Sequence, residues 1–116
     1  MGFNISSKID DGVALIRVEG EIDMFTSPNL RDVLLPCFNP STTGIVVDLA
    51  GVSFMDSSGI ATLVEGLQWS RKEKREFILT GLGKTVFNAL SLTKLDNVFA
   101  IEPDADTALA GLTKKG

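Results

Sequence analysis

VVDLAGVSFMDSSGIATLVEGL, residues 46–67, changes its hydrophobic period part-way along. The first half is a run of β-branched and aliphatic residues of buried-strand character. From Ser58 onward Ile60, Leu63, Val64 and Leu67 recur at helical spacing, and Glu65, Gln68 and Arg71 fall on the opposite side. A buried strand that runs into a helix is the building unit of alternating α/β folds. At the junction stand Asp56, Ser57, Ser58 and Gly59, three residues of helix-cap type and a glycine. The strand itself is placed at 45–50. Gly51 and Val52 lead from it into SFM, which is counted either as its continuation or as a short strand of its own.

Working outward, FNISSKI (3–9) alternates weakly and reads as an edge strand. Asp10-Asp11-Gly12 is a turn signal, and VALIRVEG (13–20) follows, so the two strands are expected as an antiparallel hairpin. Gly20 to Asp23 is read as a loop in which Glu21 and Asp23 flank Ile22. Thr26 or Ser27 suits a helix cap and Pro28 its first turn. Leu30, Val33, Leu34 and Cys37 give that helix an apolar stripe, and Pro36 is expected to end or kink it. NPSTTG (39–44) is loop. RKEKRE (71–76) reads as a solvated helix end plus a turn, and FILT (77–80) as a buried strand. KTVFNALSL (84–92) is a short helix with Val86, Phe87 and Leu90 inward. VFAI (98–101) is the last strand, and DADTALAGL (104–112) the last helix, with Lys114 and Lys115 just beyond it. The expected fold is one α/β domain over residues 1–116. It has a mixed sheet of four to five strands, parallel after the hairpin, with about four helices packed against it.

Composition narrows the function. The chain has 116 residues, 44% hydrophobic and 22% charged, which suits one soluble domain with one core. A net charge of −4 argues against a nucleic-acid partner, which needs a basic stripe. No apolar run approaches the roughly 20 residues of a membrane helix, and the start lacks signal-peptide character. No membrane role and a cytoplasmic location are therefore expected. MGFNIS matches a myristoylation pattern at Gly2 and Ser6, and Asn4-Ile5-Ser6 is a formal sequon, but the same residues suit a first strand. Cys37 is the single cysteine and reads as a small buried hydrophobe. Histidine is absent, which removes the commonest general base and transition-metal ligand; no metal and no cofactor are expected.

Three chemistries compete for the small polar residues. Gly83-Lys84-Thr85 resembles the end of a phosphate-binding loop, G-x-x-x-x-G-K-S/T. The required first glycine is replaced by Ile78, inside a strand, so weak nucleotide binding through Lys84 stands only as an alternative. A hydrolytic Ser57 or Ser58 lacks the G-x-S-x-G elbow and a histidine partner. The structural reading is a helix N-cap from Asp56, Ser57 or Ser58, with Gly59 letting the backbone turn closely. Ser57 would then lie outside the carboxyl end of a strand, where exposed amides and the helix dipole favour an anion. A phosphoryl group there would add about 1.5 to 2 negative charges. Beside Asp56, and with Glu21 and Asp23 near, it would repel an acidic partner. Two unit charges about 4 Å apart interact by roughly 4 kcal/mol at an effective dielectric of about 20.

Residues 46–67 resemble the signature segment of the STAS domain, in its branch of anti-sigma factor antagonists. VEGEID (18–23) is similar to that family's second-strand ending, usually G-E-L-D, and LSLTKLDNVFAI (90–101) to the stretch before its last strand. The resemblance covers nearly the whole chain. It implies a regulator rather than an enzyme. Unmodified, such a protein binds an anti-sigma factor serine kinase and frees a sigma factor. Phosphorylation of the first serine of D-S-S-G releases it, and a PP2C-type phosphatase restores it. Carried onto this chain, the phosphoacceptor is Ser57; Asp56, Ser58 and Gly59 shape its loop, and Glu21 and Asp23 border it. Arg75-Glu76 stands where many relatives carry glycines, and Gly81 to Thr85 is richer in glycine than the family. Both depart from the pattern away from the serine. The family also serves in stress-signalling and transport complexes, and a STAS subunit of such a complex is the alternative reading.

Overall fold

The computed structural model describes residues 2–115, with side chains as far as Leu112. In chain order the elements are β1 (Asn4–Asp10), β2 (Val13–Ile22), α1 (Ser27–Leu34), a 3-10 turn (Leu35–Cys37), β3 (Gly44–Met55) and α2 (Ser57–Glu73). They continue with β4 (Glu76–Thr80), α3 (Lys84–Leu92), β5 (Ala100–Glu102) and α4 (Ala105–Lys115). The five strands form one sheet in the order β1-β2-β3-β4-β5. Only the first pair is antiparallel, with Asp10 opposite Val13. Asp11 and Gly12 both have positive φ, 52° and 80°, the backbone that a two-residue hairpin turn demands.

Because successive strand residues point to opposite faces, the sheet feeds two cores. Ala14, Ile16, Val18, Ile45, Val47, Leu49, Phe77 and Leu79 face the larger one. It is closed by α1 through Leu30 and Leu34, by α2 through Ile60, Leu63 and Leu67, and by α3 through Val86 and Leu90. On the other face Val13, Val46 and Ile78 pack against Ala108 of α4. Pro36 does end α1, and the chain tightens into the 3-10 turn that buries Cys37.

Several expectations are corrected. The strand expected at 45–50 runs on to Met55, so SFM is its continuation and not a strand of its own. Its pairing with β2 slips twice, between Arg17 and Glu19 and between Gly20 and Glu21, and each slip adds a residue on the β3 side. Such bulges break the period of two, which is why SFM resembles a separate strand. Glu21 and Ile22, read as loop, continue β2, because Glu21 pairs with Phe54 and Ile22 with Met55, and Ile22 is fully buried. β5 begins at Ala100, because the amides of Val98 and Phe99 bond back to the Leu95 carbonyl in a turn. Phe99 still enters the core against Phe77. Phe87 is exposed rather than inward, since α3 turns only its Val86–Leu90 line to the sheet. The backbone of α4 takes in Lys114 and Lys115, whose side chains lie outside the described residues.

Arg75 also departs from the solvated reading of its charge run. Lys74 ends α2 in the left-handed conformation (φ 59°), which turns the next side chain inward. The Arg75 side chain is only 12% exposed. Its Nη2 donates to the Asn39 carbonyl at 2.6 Å, and its Nη1 to the Glu73 carbonyl at 2.8 Å. The residue thus ties the β3 approach loop to the end of α2.

Thr80 ends β4 with its hydroxyl fully buried and, among the described residues, without a hydrogen-bond partner. An unpaired buried hydroxyl costs free energy that a methyl does not. Thr80→Val is therefore expected to leave the unfolding free energy, read by urea titration, unchanged or to raise it by up to about 1 kcal/mol. A clear fall would mean that the hydroxyl is paired.

Candidate functional site

The parallel strands β2 and β3 end side by side, and the chain leaves each at the same rim of the sheet. β2 runs into the loop Asp23–Thr26, and β3 into α2. The two exits are joined: the Asp56 amide donates to the Ile22 carbonyl at 3.1 Å. The rim thus gathers all six residues singled out by sequence: Glu21, Asp23, Asp56, Ser57, Ser58 and Gly59.

Asp56 is the N-cap of α2. Its Oδ1 accepts from the Ser58 amide at 2.9 Å, the Gly59 amide at 3.4 Å and the Ser58 hydroxyl at 2.5 Å. The Met24 amide also bonds this carboxylate, so the cap reaches across to the neighbouring loop. These bonds, the Ser58 hydroxyl foremost, hold the Asp56 carboxyl below its usual range. The expected anion site is thereby revised. The Ser58 and Gly59 amides of the first turn of α2 are already satisfied by Asp56, and a charge on Ser57 would stand beside that carboxylate rather than in an open nest.

The two serines are not equivalent. Ser58 is half-buried, donates its hydroxyl to Asp56, and gives its carbonyl to the Thr62 hydroxyl at 3.0 Å. Ser57, the first residue of α2, is exposed, and its hydroxyl makes no hydrogen bond among the described residues. Gly59 is buried under the strand ends. A Cβ placed on it would meet Ile22 Cγ2 and Met55 Cγ, each at 2.7 Å.

Asp23 closes its own loop. Its Oδ1 accepts from the amides of Phe25 at 2.9 Å and Thr26 at 3.1 Å. The Thr26 hydroxyl donates to the Glu21 carbonyl at 2.8 Å and accepts from the Asp23 amide at 2.9 Å. One side of the loop borders a shallow cleft of about 410 Å³ between Phe3, Gly20, Glu21, Thr26 and Ser53. Behind the rim, Arg31 of α1 binds Glu65 of α2 through two parallel bonds, 2.9 and 3.0 Å long, which fix the two helices together.

Sequence reasoning missed the apolar part of the rim. Met24, Phe25 and Phe54 are all exposed, although Ile22 and Met55 beside them are buried. One signal was available: Met24-Phe25 is a large apolar pair within a loop, with no periodic partner to share a buried face. Lys84 lies exposed at the start of α3, after Gly81 has packed tightly on Ala50. That turn follows the strand closely and does not form a wide loop. Among the described residues no group of three or more His, Cys, Asp or Glu side chains converges to hold a metal, and no helix is long and apolar enough to cross a membrane.

The STAS domain model matches residues 4–108, across the whole sheet and into α4. The anti-sigma-B factor antagonist of Staphylococcus aureus is 30% identical over 101 residues, covering 87% of this chain and 94% of the relative. The chain belongs to the STAS domain family, on its anti-sigma factor antagonist branch. Among solved structures, this STAS domain is similar to an anti-sigma factor antagonist from Mycobacterium paratuberculosis. The TM-score is 0.85 and the identity 31%, over 95% of this chain and 93% of the other. SpoIIAA, solved in its unphosphorylated form, shares the fold with a TM-score of 0.80 at 18% identity, over 99% of this chain and 98% of its own.

Asp56 also sets an expected acid response. A carboxyl whose folded pKa is depressed contributes stability above its unfolded pKa, and loses that contribution as pH falls through the folded value. Asp56→Asn keeps a cap acceptor but removes the charge. The Tm gap between the native chain and this variant is expected to be widest near neutral pH and to close as pH falls below the usual carboxylate range. A gap independent of pH would show that the charge contributes nothing.

Proposed function

We propose that this STAS domain is an anti-sigma factor antagonist switched by phosphorylation of Ser57. Unmodified, it docks the α2 tip and the Asp23–Thr26 loop on an anti-sigma factor with serine-kinase activity, in the cytoplasm, and so frees a sigma factor. Transfer of the γ-phosphoryl group of ATP to Ser57 Oγ then releases it, and a PP2C-type phosphatase removes the phosphate. The chain is the substrate in this cycle and supplies no catalytic group.

The observation that carries this reading is the contrast between the two serines. Ser58 is committed to the Asp56 cap, whereas Ser57 offers a free hydroxyl at an exposed helix tip. The surroundings suit a switch. Asp56 is adjacent and Glu21 is exposed on the same rim. A dianion added there raises the charge density of a surface that a partner must desolvate to dock. The names of the relatives supply the partner class, an anti-sigma factor. SpoIIAA, a protein of the same fold, is also known in a phosphorylated form.

The test is an incubation of the purified chain with ATP and the anti-sigma kinase of the same genome. The intact mass should rise by one phosphate, and fragmentation should place it on Ser57. No gain, or a phosphate on Ser58, defeats the reading.

A further inference from the structure

The sheet has two edges, and they are built differently. β5, at one end, is a strand of 3 residues, too short to offer another chain a ladder. β1, at the other end, runs for 7 residues, and its register with β2 is unbroken from Asn4 opposite Glu19 to Asp10 opposite Val13. Brevity, proline, bulges and lysine are the devices that keep an edge strand from pairing with another chain. β1 has only the lysine, Lys8. We propose that β1 is a self-association edge: two copies of this chain pair β1 against β1, antiparallel, about a two-fold axis at Ser7, and continue one sheet across the dimer.

The hairpin decides which backbone groups are free. Its β-turn bonds Asp10 to Val13, and along an antiparallel ladder bonded and non-bonded pairs alternate. Asp10, Lys8, Ser6 and Asn4 therefore turn their amides and carbonyls to β2. Ile9, Ser7 and Ile5 turn theirs to the open edge, where no other hydrogen bond among the described residues reaches them. An axis at Ser7 sets Ser7 against Ser7, and Ile5 against Ile9 of the second copy. Every outward amide of these residues then meets an outward carbonyl.

The side chains agree with that register. Ile9 is 53% exposed, while Ile5, on the same face of β1, is half-buried against the larger core. The pairing seats each Ile9 on the Ile5 of the other copy. On the opposite face Lys8 meets Ser6 and Asp10 meets Asn4, so no charge stands directly opposite its like. An axis at Lys8 would set lysine against lysine. An axis at Ser6 would carry Ile9 past the end of the other strand, and one at Ile9 would pair only the turn end of β1. A foreign strand would have to reproduce this order of apolar and polar positions, which a second copy already has. β1 is also neutral, with one lysine and one aspartate, on a chain of net charge −4. Antiparallel pairing sends the two acidic rims to opposite ends of the dimer. Ser57 stays open in both copies, so the inference does not depend on how that serine is used.

The test is sedimentation equilibrium of the purified full chain from about 10 µM to about 1 mM. The mean mass should rise from the monomer value toward twice that value. Ile9→Lys is expected to weaken self-association by at least about tenfold, because each dimer loses two isoleucine contacts, with circular dichroism and the urea midpoint unchanged. Ser7→Pro removes an outward amide and none that β2 uses, and should also leave a monomer. If that variant unfolds, Ile9→Lys decides. Phe25→Ser, on the rim, is the control and should match the native chain. Register is read by oxidation: Ser7→Cys should form a linked dimer, since directly opposite bonded residues lie about 5.5 Å apart at Cα, within disulfide range, whereas Ser6→Cys should not. A monomer mass at every concentration overturns the proposal, leaving the edge to a different chain or to none. Self-association that Phe25→Ser abolishes and Ile9→Lys leaves within about twofold of native also overturns it. Equal linking of Ser7→Cys and Ser6→Cys would refute the axis at Ser7.

Discussion

Alanine at position 57 is expected to abolish phosphate incorporation, and aspartate there to weaken kinase binding more than about tenfold, both without loss of fold. The first effect is chemical. Ser57 Oγ is the atom to which the phosphoryl group would bond, and the adjacent Ser58 cannot readily substitute, because its hydroxyl is held by Asp56 at 2.5 Å. The second effect is electrostatic. A carboxylate at the first position of α2 suits the helix dipole, so the chain itself tolerates it. A partner docking over the tip meets an added charge next to Asp56 and Glu21. Where an acidic group of the partner faces the tip, even half of the roughly 4 kcal/mol between two close unit charges lowers affinity by more than tenfold. Phosphate counting by mass and a binding titration read the two effects separately. Undiminished incorporation in Ser57→Ala, or native affinity in Ser57→Asp, would refute the assignment of the switch to this residue.

Valine at position 59 is expected to destabilise the domain by about 1–3 kcal/mol or more. Gly59 lies in the first turn of α2, pressed onto the ends of β2 and β3. A Cβ there would come within 2.7 Å of Ile22 Cγ2 and Met55 Cγ. Ile22 is fully buried and Met55 nearly so, and the contacts are near the roots of both side chains, so neither can swing aside. Relief therefore requires α2 to lift from the sheet, which would loosen the Asp56 cap as well. Gly111 in α4 is the contrast: a methyl added there would meet nothing within 4 Å. Alanine at that position should raise stability by about 0.5–1 kcal/mol through helix propensity. Equal urea midpoints for Gly59→Val and the native chain would mean that the helix does not sit this close.

The Gly59 case also shows how far sequence reading reaches. Its smallness was legible, but was assigned to backbone freedom. The structure assigns it to packing: the residue is helical, and the crowding comes from Met55 at the end of β3 and equally from Ile22 of β2, more than thirty positions away in the chain. The same division holds for Asp23. Its position at the rim followed from the strand-end motif, whereas its role as an internal closure of the Phe25 and Thr26 amides did not. Arg75 is a third example. A run of charges reads as solvated, yet one left-handed residue at the end of α2 turns this guanidinium toward the Asn39 carbonyl.

What the sequence by itself determined is whatever is written in local periodicity and cap chemistry. That includes the hairpin at Asp11-Gly12, the alternation of strand and helix after it, the stop at Pro36, and the placing of Asp56 and Ser57 at a helix start. These depend on neighbours within about one helical turn or one hairpin, so a single stretch of chain carries the signal. Only the tertiary structure decided which serine keeps a free hydroxyl, why Gly59 must lack a side chain, and that Met24, Phe25 and Phe54 face outward beside the acids. Those outcomes depend on the register of β2 against β3, with its two slips, and on hydrogen bonds that cross from one strand exit to the other. Such long-range pairings leave no period in the sequence to be read.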